Sequence, residues 1–360
     1  MNSPEISVIV PFYREGSLLR EAIDSIIDQT FQDFEILLID NNADEESRKY
    51  AEYFANRFPE KIRLIHEPQQ GIPYTKNRGI MESKASFIAF LDGDDLMKKD
   101  KLQKQYEILK KRSDLVLVVS NFDLLSHDSS QILKTNIPSP AYGNVSLDRL
   151  RQDFLFLFNT TFSPPYLESF EFSLPSSWLV RKEALINSGL FNIRLVNGWD
   201  DFELLMRLFR FGGFHRIQES LFIYRAESTE TRSQKNKSYT RQKRYISVQR
   251  YVAAIWEQFG SNPRNVTVLH HIRSVWLQVF GVALISYEKG LQLGRSLLIR
   301  SVLISPWDRT GWKLLFKSFL PRSLHPRLFW FDELSKESLD EIHPSMLKRF
   351  LSFPVKYENF

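Results

Sequence analysis

The 360-residue chain contains no cysteine. Disulfides, thiolate catalysis and zinc–thiolate sites are therefore excluded, and a reducing compartment fits. No run of about 18 uncharged apolar residues occurs, so no transmembrane helix is expected. The opening "MNSPEISVIVPFYREG" lacks the basic region and long apolar core of a signal peptide. Neither G-x-G-x-x-G nor G-x-x-x-x-G-K-[ST] is present, which argues against a dinucleotide Rossmann site and a P-loop. His66, His127, His215 and the pair His270-His271 show no metal-ligand spacing with one another, and there is no internal repeat or low-complexity segment. These absences lead to an expected cytoplasmic location, with a peripheral position on the cytoplasmic membrane face as the alternative.

What is present is apolar material and an uneven charge. The chain is 43% hydrophobic and 14% aromatic, enough for a sizeable core. Its net charge of +5 divides into an acidic body and a basic tail. Residues 1–230 carry 27 Lys+Arg against 34 Asp+Glu, and residues 231–360 carry 21 against 9. Two functional regions follow.

Periodicity along the first third alternates between strand and helix. Strands are predicted at Ile6–Phe12, Phe34–Ile39, Ile62–Ile65, Phe87–Leu91 and Leu115–Ser120. Helices are predicted at Ser17–Gln29, Glu45–Phe58, Tyr74–Ser83 and Lys99–Lys111. Residues 121–175 are proline-rich and read as loops with one helix near 147–158. A strand at Ser177–Val180, helices at Lys182–Ser188 and Asp200–Phe211 and a strand at Leu221–Arg225 complete this part. Residues 228–238 read as a mobile loop. Beyond it the pattern is helical, near 239–259, 263–289, 291–304 and 308–319, punctuated by Pro263, Pro306 and Pro321. Such βαβ alternation implies a mostly parallel sheet, with ligands at the carboxyl ends of its strands.

Three polar clusters fall at those ends: Tyr13-Arg14, Asp40-Asn41-Asn42 and Asp92-Gly93-Asp94-Asp95. Three carboxylates crowded after a buried strand repel one another and are costly to desolvate unless something neutralises them. Asp92-x-Asp94 suits a hard divalent cation, Mg²⁺ or Mn²⁺, which takes oxygen ligands and completes its shell with substrate phosphates. The plainer reading is a solvated acidic turn in which Gly93 supplies a positive φ. Asp200-Asp201, after Asn197-Gly198-Trp199, reads either as a helix N-cap or as a general base on a substrate hydroxyl, with Trp199 as a pocket wall. Lys76, Arg78, Arg207 and Arg225 are candidate phosphate partners, each alone more ordinary as a structural charge.

Several ordered blocks then carry a more specific signal. "ISVIVPFYREGSLLREAIDSIIDQTFQDFEILLIDNNADEES", "GIPYTKNRGIMESKASFIAFLDGDDLM", "SSWLVRKEALINSGLFN", "NGWDDFELLMRLFRFGG" and "LFIYRAEST" together resemble the family-2 glycosyltransferases of GT-A fold over roughly residues 5–230. The resemblance implies a Rossmann-like α/β catalytic domain over 1–235, with a nucleotide-sugar half (1–120) and an acceptor half (121–235), followed by a basic helical region (236–360). It implies a nucleotide-diphosphate-sugar donor, a divalent cation and inversion at the anomeric carbon. Pro11, Tyr13, Asp40, Asn41, Lys76, Asp92 and Gly93 fall at nucleotide-sugar positions. Asp94, with Asp92, falls at the metal, and Asp201 at the catalytic base. Asp200, Trp199, Arg225 and Glu227 fall at acceptor or loop contacts. Three positions depart from the family pattern. Asn41 replaces an Asp that contacts the base in uridine-specific members, Lys76 replaces an Arg and loses its bidentate fork, and Glu227 stands where many relatives place a His.

The expected function is metal-dependent, inverting transfer of a sugar to a glycan or lipid-linked acceptor, in surface polysaccharide biosynthesis. The alternatives are a catalytically silent scaffold of the same fold and a nucleotidyltransferase. The tail mixes Arg and Lys with Trp256, Trp276, Trp307, Trp312 and Trp330. It reads either as a helical appendix on the catalytic domain or as a segment for an anionic membrane surface. No nucleic-acid module is recognisable in it.

Overall fold

A computed structural model describes residues 3–126, 129–137, 174–196, 200–208, 211–225, 277–278, 291–304, 306 and 309–319. The helix expected at 147–158, the loop at 228–238, the helix at 239–259 and most of that at 263–289 lie outside these residues, as do Trp199 and Glu227. The chain divides into two compact units, 1–238 with 247–261, and 239–246 with 262–360.

In the first unit the elements run β1 (Ile6–Phe12), α1 (Ser17–Ile27), β2 (Phe34–Asp40), α2 (Glu45–Arg57), β3 (Ile62–His66), α3 (Ile72–Glu82), β4 (Phe87–Phe90), β5 (Leu96–Met97), α4 (Lys101–Lys111), β6 (Leu115–Leu125) and β7 (Ile132–Ile137). A 3₁₀ turn (Pro175–Ser177), β8 (Leu179–Arg181), α5 (Lys182–Asn187), α6 (Asp200–Leu208) and β9 (Gly213–Arg225) follow. One sheet takes the order β3-β2-β1-β4-β8-β6-β9-β5, with β7 paired to β6. The segment β3-β2-β1-β4 is parallel throughout. β8 then runs antiparallel between β4 and β6, which restores the common direction for β6 and β9. The α/β expectation holds, and the strands opposed to the common direction are the short β5, β7 and β8.

Packing explains the sequence pattern. β1 and β2 are buried on both faces, so they read as continuous Val/Ile/Leu runs. Ile6, Val8 and Val10 face one core with Leu19, Ile23 and Ile26 of α1. Ile9, Leu37 and Ile39 face the other with Ile80 of α3, Trp178 and Phe191. α3 lies close on β1 because Gly79 has no Cβ: one built there would stand 2.5 Å from Ile9 Cγ2.

The second unit contains α7 (Leu291–Ile304) and α8 (Arg309–Ser318), close to the predicted bounds. Gly311 lets α8 approach α7, since a Cβ there would lie 3.3 Å from Val302 Cγ2. Arg295 Nε and Nη2 cap α8 at the Ser318 carbonyl (3.0 and 2.6 Å).

Candidate functional site

Parallel strands deliver their following loops to one edge. The β1 and β2 loops are stitched there by backbone bonds from Asn41 N to the Phe12 carbonyl (3.1 Å) and from Asp44 N to the Tyr13 carbonyl (2.9 Å). Pro11 is partly exposed, and the Tyr13 ring lies open with the Arg14 guanidinium 4.7 Å from its centre.

Asp40 is buried and structurally engaged. Its Oδ1 accepts from Ala43 N (2.7 Å) and its Oδ2 from Arg48 Nε (3.0 Å). Asn41 is equally engaged. Its Nδ2 donates to the carbonyls of Glu67 (3.0 Å) and Gln69 (2.7 Å), and its Oδ1 accepts from Gly71 N (2.8 Å) and Gln70 Nε2 (3.2 Å). An amide supplies both donors and acceptors, a carboxylate only acceptors. Asn41 therefore fastens the 67–71 loop and fixes the start of α3.

One turn into α3, Lys76 is buried, with Nζ 3.8 Å from Asp200 Oδ2 and 5.0 Å from the Phe191 ring centre. Asn77, absent from the sequence-based site, holds this arrangement: its amide exchanges two hydrogen bonds with the Phe191 backbone (2.9 and 2.8 Å). Asp200 begins α6, and its Oδ2 is buried without a hydrogen-bond partner among the described residues. Burial pushes its carboxyl above the usual range. Lys76 pulls it back, and Asp92 pushes it up again. Asp201 follows it in the first turn of α6, half-buried.

Between β4 and β5 the acidic turn closes with Asp95 N donating to the Asp92 carbonyl (3.0 Å), while Asp92 N donates to Ser176 Oγ (3.1 Å). Gly93 is required by close approach, not by a positive φ: a Cβ there would meet Glu15 Cγ at 3.0 Å and the Pro11 carbonyl at 3.3 Å. Asp95 is almost fully buried. Its Oδ1 accepts from Arg225 N (3.1 Å), and its Oδ2 meets no hydrogen-bond criterion among the described residues. Burial raises its pKa well above the ordinary range, and Asp94 and Asp92 add to this. Glu15 rises to about 7, chiefly through burial; the Tyr13 N–H bond opposes the rise and Asp94 adds to it. Glu15 and Asp95 join the site on this geometry. Asp95 showed in the sequence only as a member of the acidic turn, and Glu15, alone between Arg14 and Gly16, gave no signal.

The arginines are largely structural. Arg225 is buried, with Nε on the Asp94 carbonyl (3.0 Å), Nη2 on Glu21 Oε2 (2.9 Å) and Nη1 on Ser129 Oγ. Arg207 forms a bidentate pair with Glu203 (2.9 and 2.5 Å), and Arg78 pairs with Glu82 (3.0 Å).

Among the described residues no three His, Asp or Glu side chains gather to hold a metal alone. Mg²⁺ and Mn²⁺ are commonly held by one or two carboxylates with substrate phosphates completing the shell. The buried Asp95 Oδ2, without a hydrogen-bond partner among the described residues, and the surplus of carboxylates on one turn fit such a cation.

The family model described as "Glycosyl transferase family 2" matches residues 7–167. The chain is 27% identical over 235 residues to the glycosyltransferase GlyG of Streptococcus pneumoniae, covering 62% of this chain and 71% of that protein. It is 27% identical over 132 residues to TuaG of Bacillus subtilis, a glycosyltransferase named for teichuronic acid biosynthesis, covering 36% of this chain and 52% of TuaG. The crystal structure of S. aureus TarS 1–349 in complex with UDP-GlcNAc superposes with a TM-score of 0.56 at 13% identity, covering 89% of this chain and 90% of that one.

Proposed function

We propose that this chain is a family-2 glycosyltransferase of GT-A fold that transfers a sugar from a nucleotide-diphosphate donor to a hydroxyl of a glycan or lipid-linked acceptor in polysaccharide biosynthesis. The observation that carries the reading is the acidic turn at the carboxyl end of β4 together with the buried Lys76–Asp200 pair, whose acid feels the Asp92 charge. UDP-GlcNAc in TarS and the naming of TuaG support the donor class and the pathway type.

Asp94, with Asp92, would hold Mg²⁺ or Mn²⁺, which supplies Lewis-acid stabilisation of the diphosphate leaving group. Pro11 and Tyr13 border the nucleotide, and Tyr13 offers an exposed ring face. Lys76 adds positive charge beside the diphosphate. Asp201 accepts the proton of the acceptor hydroxyl. The hydroxyl oxygen forms its bond to the anomeric carbon as the bond to the diphosphate oxygen breaks, with inversion and no enzyme nucleophile.

Asp201→Asn tests this assignment. Transfer should fall by at least about a thousandfold, the upper part of the general-base range, while donor affinity by calorimetry stays within a factor of about three. Loss of donor binding in a folded variant removes Asp201 from the role of base.

A further inference from the structure

The second unit carries a surface that the transfer reaction does not use. α8 buries Gly311, Leu315 and Ser318, spaced i, i+4, i+7. One position further round, also at i, i+4, i+7, stand Trp312, Phe316 and Phe319, which are 42%, 69% and 60% exposed. Trp312 and Phe316 lie 6.2 Å apart, and Trp312 Nε1 is satisfied by the Pro306 carbonyl (2.8 Å), so the indole makes no demand on water. α7 exposes Ile299 and Leu303, again four residues apart. Two large aromatics exposed on the ten-residue α8, and a third one residue past its end, are unfavourable unless something covers them.

Charge selects what covers them. Lys313 and Lys317 follow Trp312 and Phe316 directly, and Lys317 has its pKa lowered, first by burial and then by Lys313. α7 adds Arg295 and Arg300, and neither helix contains an Asp or Glu. In sequence, residues 239–320 hold twelve Lys+Arg against three Asp+Glu. A second copy would bring like charges together. An anionic lipid surface accepts rings at headgroup depth and pairs its phosphates with lysines beside them. No helix among the described residues is long and apolar enough to cross a membrane.

We propose that α8 lays its Trp312–Phe316–Phe319 stripe into the headgroup layer of an anionic bilayer, with Lys313 and Lys317 on lipid phosphates. This is independent of the transfer reaction, since vesicle partition needs neither donor nor acceptor.

The test is co-sedimentation of the full chain with phosphatidylcholine vesicles containing or lacking about 30% phosphatidylglycerol, a content chosen to give a strong surface potential. The chain should partition onto the anionic vesicles only, and less so in high salt. Phe316→Ser/Phe319→Ser should weaken partition at least about tenfold. Lys313→Glu/Lys317→Glu should weaken it by about fivefold or more per lysine. All are surface changes, and unchanged thermal melts establish that the variants fold. Absence of partition by the parent chain overturns the proposal, as does undiminished partition of the Phe variant. A parent dimer that the Phe variant converts to monomer also overturns it, and assigns the stripe to a second copy.

Discussion

Arg225 Nε donates to the backbone carbonyl of Asp94 across 3.0 Å, tying the last residue of β9 to the acidic turn between β4 and β5. β5 pairs antiparallel with β9 through Leu96–Ile223 and Met97–Phe222, so the turn and the arginine reach the same place by register. The same guanidinium reaches Glu21 on α1 and Ser129 in the β6–β7 connection. It is thereby a positioning group for the turn, with three of its five side-chain N–H donors committed within the fold.

Arg225→Met should therefore weaken metal-dependent donor binding at least about tenfold and lower stability by about 2–4 kcal/mol, the range for losing a buried, multiply bonded charge. Urea melts and calorimetric titrations with Mn²⁺ read the two effects separately. A variant of normal stability that loses donor binding even without metal would make Arg225 a phosphate ligand instead.

Asn41 gives a second discriminating substitution. Asp at this position cannot donate to the Glu67 and Gln69 carbonyls and sets a negative oxygen against them. Asn41→Asp is expected to cost about 1–3 kcal/mol in thermal unfolding and to weaken every nucleotide-sugar alike, because the 67–71 loop and α3 lose their anchor. Improved binding of a UDP-sugar alone, at no cost in stability, would show instead that the side chain reads the base.

Lys76 and Asp200 form a buried pair at 3.8 Å. Lys76→Met leaves a buried acid without its cation, and Asp200→Asn leaves a buried ammonium without its anion. The double variant should recover about 1–3 kcal/mol relative to the sum of the single losses. Additive single and double variants in denaturant melts would contradict the pairing.

Lys101 supplies a pH test remote from these groups. It is fully buried, its ammonium reaches the Trp178 carbonyl at 3.4 Å and no other acceptor among the described residues, and burial lowers its pKa to about 7 from 10.5. Between about pH 7 and 10.5 the unfolded chain binds this proton and the folded chain does not, so its contribution to stability is present above that window and is lost as pH falls through it. Lys101→Met should stabilise the protein by a few kcal/mol at pH 7 and by progressively less toward pH 10. An equal effect at both pH values would show that the lysine is charged and paired when buried.

The sequence made the first half legible because its strands are buried on both faces and its helices are amphipathic, two patterns with distinct periods. It missed β5, only Leu96–Met97, which is too short to show any period. It ended β6 at Ser120, where Asn121 and Asp123 interrupt an apolar run. The strand continues to Leu125 because Lys98 pairs with Asp123 (2.5 Å) and the Gln218 carbonyl accepts from Asn121 (3.1 Å). It began β9 at Leu221, whereas the strand starts at Gly213: Arg216 looks like loop but pairs with Val119 of β6, and the exposed Gln218-Glu219 form a bulge that the register skips. At the site, residue types pointed to Asp92, Asp94, Asp200 and Lys76. Whether Asn41 and Arg225 face a ligand or hold a loop depends on hydrogen bonds to backbone carbonyls far away in sequence, which no local motif encodes.

Calorimetric titration of UDP-, GDP- and dTDP-sugars, with and without Mn²⁺, tests the central claim most directly. One donor class should bind in the presence of Mn²⁺, and Asp94→Asn should abolish that metal dependence. A folded chain that binds none of the three, with or without metal, would contradict a working transferase and leave a silent scaffold of the same fold.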